Sequence, residues 1–278
     1  MPDIFFQGVS KSYGKEAALH DLTVAFADGV TTSVVGPSGS GKSTLLQLIN
    51  GLVRPNFGMV QVFGKPIDYD HLPQLRRQIG YAVQGTGLFP HLTVERNITL
   101  LARLAGWNTE RTRTRAQELM ERVGLPWTFA TRYPHQLSGG QQQRVGLCRA
   151  MMLQPPLFLL DEPFGALDPV TRNDIQQEFL RLQQAEPRTI VLVTHDLREA
   201  LRLAQRLIVL NGGRIAQHGP GEEIINAPAD EFVRNFFQTQ LGSQKSEVRG
   251  QNSEVRSQES GVSSRESGVR NRRLTSDF

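Results

Sequence analysis

The sequence predicts an α/β protein with a mixed sheet core, an antiparallel flank and an inserted helical subdomain. Three observations predict it. Thr31–Val35, Leu157–Leu160 and Thr189–Thr194 are short continuous runs of the kind found in strands covered on both faces of a parallel sheet. Asp3–Val9 and Leu22–Phe26 instead alternate apolar and polar residues, as half-buried antiparallel strands do. Between Gln84 and Gln154 strand signals thin out, and Leu, Ala, Arg and Glu recur at helical spacing, most clearly over Arg111–Val123.

The remaining segments complete the division. Arg206–Leu210 and Arg214–His218 flank Asn211-Gly212-Gly213, whose Asn-Gly pair suits the positive φ angles of a tight hairpin, so the sheet resumes there. From Gly242 the composition turns to Ser, Gln, Gly, Glu and Arg, and Ser-Glu-Val-Arg recurs at Ser246 and Ser253. Such a stretch buries too little apolar surface to offset its ordering entropy. The reading is a catalytic domain over 1–241, a helical subdomain over about 85–155, and a disordered tail over 242–278.

Bulk properties narrow the setting. Of 278 residues 38% are hydrophobic and 21% charged, and no run approaches the roughly 18 apolar residues that span a bilayer, so any membrane role is peripheral. The N-terminus lacks a basic segment followed by an apolar run, and Cys148 is the only cysteine, which together point to a cytosolic chain with a packed thiol. The net charge of +4 and pI near 9.5 would suit nucleic acid or anionic lipid. Arginines interspersed with Glu and Asp favour a mixed solvated surface, and no nucleic-acid partner is expected.

Four motifs carry chemistry. Gly36-Pro37-Ser38-Gly39-Ser40-Gly41-Lys42-Ser43 stands between a strand and a helix predicted over Lys42–Asn50, the context of a phosphate-binding loop. Its glycines free backbone N–H groups for phosphate, Lys42 supplies charge and the Ser43 hydroxyl suits magnesium, with Thr44 completing the binding set. Leu157-Phe158-Leu159-Leu160 runs into Asp161 and Glu162. Strand alternation aims the two carboxylates differently, Asp161 at the metal shell and Glu162 at an attacking water as general base. His195 ends another core strand at the same sheet edge and reads as a γ-phosphate sensor. Ser138, Gly139, Gly140 and Gln141 precede a helix predicted over Gln142–Met151 and form a second anion-binding helix start. One domain cannot easily bring both loops to one phosphate; a head-to-tail pair of chains can.

With these motifs in this order, residues 3 to about 238 resemble the nucleotide-binding subunits of ATP-binding-cassette transporters. The resemblance implies ATP and Mg²⁺ as cofactors, hydrolysis by a homodimer sandwiching two ATP molecules, transmembrane permease subunits as partners and a solute-binding protein as an indirect one. It places the chain at the cytoplasmic face of the cell membrane. Tyr13 then matches the aromatic that stacks on adenine, Gln84 the glutamine that contacts magnesium and relays to the membrane partner, and Asp168 the residue coupling the two sites. Ile79-Gly80-Tyr81, Leu88-Phe89-Pro90-His91-Leu92-Thr93-Val94, Arg132-Tyr133-Pro134-His135 and Ala227-Pro228-Ala229-Asp230 resemble importers of glycine betaine, choline and related quaternary amines, although amino-acid and polyamine importers share parts of them. Gly85-Thr86-Gly87 and Arg96 depart from the family pattern where the membrane subunit is expected to dock. A soluble cassette ATPase acting on nucleic acid or the ribosome is the rival reading; such relatives usually carry two cassettes or a long coiled-coil insertion.

Overall fold

A computed structural model describes residues 3–242, apart from Gln84 and Thr86. The tail reading for 243–278 and the assignment of Gln84 therefore lie outside the described residues.

In chain order the elements are β1 (Ile4–Tyr13), β2 (Glu16–Phe26), β3 (Thr31–Val35), α1 (Lys42–Ile49), β4 (Phe57–Val62), β5 (Lys65–Pro66), α2 (Leu72–Arg76), β6 (Ile79–Ala82), α3 (Val94–Leu104) and α4 (Thr109–Arg122). Then follow α5 (Gly139–Met151), β7 (Leu157–Asp161), α6 (Pro169–Ala185), β8 (Thr189–Val193), α7 (Leu197–Leu203), β9 (Arg206–Asn211), β10 (Arg214–Gly219) and α8 (Gly221–Asn226). A last helix occupies 231–242.

The strands form two sheets. An antiparallel sheet has the order β2-β1-β4-β5, and a six-stranded sheet the order β10-β9-β3-β8-β7-β6. In the larger sheet β9, β3, β8, β7 and β6 run parallel, and β10 closes it antiparallel to β9. β3, β7 and β8 are buried at every position, which is why their sequences lack alternation. α1 lies in the core that the two sheets share, with Leu45, Leu46, Leu48 and Ile49 fully buried against residues of both.

α3, α4 and α5 pack on one another around a separate apolar cluster that includes Val94, Ile98, Leu119, Val145 and Cys148. Burial there pushes the Cys148 thiol up to about 12, so it behaves as an apolar packing group. α5 starts at Gly139, three residues earlier than the sequence pattern suggested, because Ser138 caps it and both glycines enter the first turn. The hairpin after β9 also needs a correction: positive φ falls on Gly212 (51°) and Gly213 (75°), not on Asn211.

Asn97 in α3 is fully buried and ties down the preceding loop. Its Nδ2 donates to the carbonyls of Phe89 (3.1 Å), Leu92 (3.0 Å) and Thr93 (3.1 Å), and its Oδ1 accepts from the Phe89 N–H at 2.8 Å. Asn97→Ala takes the partner from the Phe89 N–H and the Leu92 carbonyl, while the Phe89 and Thr93 carbonyls keep the Leu92 and Asn97 N–H groups, and it is expected to lower unfolding free energy by roughly 1–3 kcal/mol in urea titrations. Leu104→Ala, at a position 67% exposed, should change it by less than about 0.5 kcal/mol.

Candidate functional site

β3 ends at Val35, and residues 36–41 turn the chain into α1. Gly36 has φ 152°, and a Cβ there would stand 2.2 Å from the Leu210 carbonyl oxygen. Gly41 has φ 96°, with the Ala18 carbonyl oxygen 2.5 Å from any added Cβ. A side chain at either position would force the loop off the strands that support it. Lys42 Nζ donates back to the carbonyls of Gly36 (2.9 Å) and Pro37 (2.7 Å), so its ammonium is folded over the loop. Burial lowers its pKa, while the charges of Glu162 and Asp161 pull it upward. The Ser40 hydroxyl is buried within this loop and has no hydrogen-bond partner, and the first N–H groups of α1 have no acceptor inside the helix. These are orphaned donors around a cradle that side chains cannot fill, which is what a polyphosphate requires.

Asp161 is the last residue of β7 and 4% exposed. Burial raises its carboxyl pKa, a hydrogen bond with the Ser43 side chain lowers it, Glu162 adds to the rise and Lys42 opposes it. The Ser43 hydroxyl and the Asp161 carboxylate, already in contact, fit a magnesium ion: both are hard oxygen donors, and magnesium takes one or two protein oxygens beside phosphate and water. Glu162 follows in the left-handed region, at φ 48°, a conformation costing roughly 1–3 kcal/mol in a non-glycine residue. Its N–H donates to the Val193 carbonyl at 2.9 Å. Its carboxylate meets His195 Nδ1 at 3.2 Å, and the His195 ring is 68% exposed.

Tyr13, Gly36, Ser38, Gly39, Gly41, Lys42, Ser43, Thr44, Glu162 and His195 line one cleft of about 560 Å³. Tyr13 is half exposed at the end of β1, with its hydroxyl 3.5 Å from Gln47 Oε1 and the Lys11 ammonium 5.1 Å from its ring centroid. A smaller cavity of about 120 Å³ lies elsewhere, between α4, α5 and α6, with apolar walls from residues such as Leu119, Phe158 and Phe179. None of the candidate site residues lines it.

The Ser138–Gln141 motif does not join the cleft. Ser138 Oγ accepts from the Gln141 N–H at 3.3 Å and the Gln141 side chain accepts from the Ser138 N–H at 3.0 Å, a reciprocal cap on α5. Gly139 and Gly140 form the first turn behind it, and none of the four lines the cleft. Asp168 caps α6, accepting from the Thr171 N–H at 3.0 Å; the Thr171 backbone and hydroxyl hold its carboxyl below the usual range. One chain thus gathers Tyr13, residues 36–44, Asp161, Glu162 and His195, and leaves Ser138–Gln141 and Asp168 on other surfaces.

Sequence reasoning missed the residues beneath the site. Glu199 in α7 is 7% exposed, accepts the Thr194 hydroxyl, and accepts from Gln176 Nε2 at 3.0 Å. Thr194 Oγ1 in turn accepts from the Asp196 N–H at 3.1 Å, which braces both sides of His195. The spacing of Asp196 and Glu199 reads as a helix capping box; Glu199 turns inward instead. Gln143 in α5 was also unread, although it is buried beside the loop that follows Glu162.

Because burial raises the Asp161 pKa, the native state binds its proton more tightly than the unfolded chain does, and stability falls as pH rises through the window between the two values. Asp161→Asn removes that buried charge. The variant should melt higher than wild type at about pH 7, with the gap closing as pH approaches about 4. A lower melting temperature at neutral pH would contradict this electrostatic account.

A family model described as ABC transporter matches residues 19–165. The chain is 46% identical over 241 residues to the choline transport ATP-binding protein OpuBA of Bacillus subtilis (strain 168), covering 86% of this chain and 63% of that one. It is 47% identical over 247 residues to the glycine betaine uptake system ATP-binding protein YehX of Escherichia coli (strain K12), covering 88% and 80%. The chain therefore spans less than two thirds of the first relative's length. Among solved structures, one described as the dimeric structure of MJ0796, a bacterial ABC transporter cassette, superposes with a TM-score of 0.74 at 37% identity, covering 78% of this chain and 98% of that one. The chain belongs to the ABC transporter family and has its nucleotide-binding fold, a P-loop domain of mixed sheet and helical subdomain.

Proposed function

We propose that this chain is the ATP-binding and hydrolysing subunit of a membrane importer, and that two copies close head to tail around two ATP molecules. The observation that carries the reading is the division of the motifs. The phosphate loop, Glu162 and His195 meet in one cleft, with Asp161 hydrogen-bonded to the Ser43 side chain beneath it, while Ser138–Gln141 presents a second anion-binding helix start away from it. In the closed pair, Ser138, Gly139, Gly140 and Gln141 of one copy cover the γ-phosphate held by residues 36–44 of the other, and Asp168 lies at the junction.

Within each site Tyr13 stacks on adenine, and Lys42 and the α1 N–H groups neutralise the phosphates. Magnesium, held by Ser43 and Asp161, would balance the charge on the β- and γ-phosphates; Gln84 is assigned to the same shell. Glu162 takes the proton of the water that attacks the γ-phosphorus as the bond to the ADP oxygen breaks. His195, whose Nδ1 lies 3.2 Å from the Glu162 carboxylate before nucleotide binds, donates a ring N–H to the γ-phosphate in the closed site. Closure and reopening then drive two permease subunits supplied by a solute-binding protein, with this subunit at the cytoplasmic face of the membrane. Among the described residues no helix is long and apolar enough to cross a bilayer. The same reading treats 85–155 as the helical arm and 242–278 as an appended tail.

The choline and glycine betaine relatives support a quaternary amine as cargo. The cargo pocket would lie in other subunits. Glu162→Gln keeps the shape of the site and removes the base, so ATPase turnover should fall by at least roughly 10²-fold while Mg·ATP binding persists. Retained turnover would overturn the assignment of Glu162. Coexpressed with its membrane and solute-binding subunits, the wild type should drive uptake of radiolabelled choline or glycine betaine and the variant should not; uptake of neither compound would overturn the cargo.

A further inference from the structure

We propose that Gln143 is a positioning residue that fixes the backbone of Glu162 and so the aim of its carboxylate, an inference that rests on the reading of Glu162 as the base. Gln143 uses both ends of its amide. Nε2 donates to the Glu162 carbonyl at 2.7 Å and Oε1 accepts from the Ala166 N–H at 2.9 Å. The side chain is 7% exposed, so water is a poor substitute for either partner.

Glu162 is a residue that needs holding. Its φ of 48° belongs to a region that glutamate rarely occupies, and the surrounding contacts must over-determine it. The Val193 carbonyl of β8 takes its N–H at 2.9 Å, and on the other side its carbonyl accepts from Gln143 and from the Gly165 N–H at 3.3 Å. The residue is thus clamped between a core strand and α5. Gly140 brings the first turn of α5 against the same loop: a Cβ there would lie 3.0 Å from the Ala166 carbonyl oxygen. The helix whose start is assigned to the partner copy's nucleotide therefore also grips this copy's own base. Gln143 is the side chain of α5 that bonds the Glu162 backbone itself.

Two variants test the assignment. Gln143→Glu keeps the acceptor for Ala166 and replaces the donor with a second oxygen facing the Glu162 carbonyl. Its kcat for ATP should fall roughly 10- to 100-fold, with KM for Mg·ATP within about twofold of wild type, because aim is lost and the phosphate loop is untouched. A buried carboxyl titrates above its usual range, and once protonated it donates again. The ratio of variant to wild-type kcat should therefore rise several-fold between about pH 8 and about pH 6. Gln143→Met, of similar length and without polar ends, should lose kcat at every pH with no such recovery. A Gln143→Glu kcat within about twofold of wild type across the range, or a flat ratio matching Gln143→Met, overturns the proposal. Turnover by wild type and its loss in Glu162→Gln, measured in the same assay, keep a failure of this assignment distinct from a failure of the base itself.

Discussion

The parallel register of β3, β8 and β7 is the constraint on which the site depends. Val34 stands level with Val193, and Val193 with Asp161. Neighbouring strands lie about 4.8 Å apart, so the segments that leave their ends must converge: the phosphate loop from β3, His195 from β8 and Glu162 from β7. The Glu162 N–H to Val193 carbonyl bond at 2.9 Å continues this alignment one step past the end of β7. A slip of one residue would turn Asp161 and Glu162 to opposite faces; the Glu162 N–H on the Val193 carbonyl and the Ser33 hydroxyl, which donates to the Leu192 carbonyl at 3.2 Å, hold the register where burial on both faces alone would not.

Burial does a second job at the same edge. Lys42, Asp161 and Glu199 each carry a pKa displaced by desolvation, which places destabilising charge near the core. The charges are tolerated because each has partners: carbonyls 36 and 37 for Lys42, Ser43 for Asp161, Thr194 and Gln176 for Glu199. α1 fixes the loop mechanically, since four of its eight residues are buried apolar side chains in the core shared by both sheets. The result is a rigid floor with unsatisfied donors above it, a shape prepared for an anion before any anion arrives.

The parts of this arrangement that the sequence displayed are those whose signal is local. β3 was legible to the residue, and the strands ending near Asp161 and His195 to within one residue, because continuous burial leaves an unbroken run. β6 and the short β5 escaped because four and two residues give no period to read. The start of α5 was placed late because glycines argue against helix, while the reciprocal Ser138–Gln141 cap outweighs them. Tyr13, Lys42, Ser43, Glu162 and His195 were all legible as site candidates, and they share one cleft. Gln143 was not, since its two partners lie 19 and 23 residues away in sequence, and Glu199 was not, since its local spacing suits a helix cap while its inward partners are Thr194 and, 23 residues away, Gln176.

The central claim is that each ATP site is shared between two copies, with the cleft of one closed by the α5 start of the other. Chemical cross-linking tests it most directly, and the buried Cys148 leaves the background clean. One batch of protein carries Ser38→Cys, a second carries Ser138→Cys, both also with Glu162→Gln to trap the nucleotide, and the two are mixed under oxidising conditions. The account predicts a covalent dimer joining the two variants that forms with Mg·ATP and not with ADP. Absence of that dimer with Mg·ATP, or an equal yield without nucleotide, would contradict it.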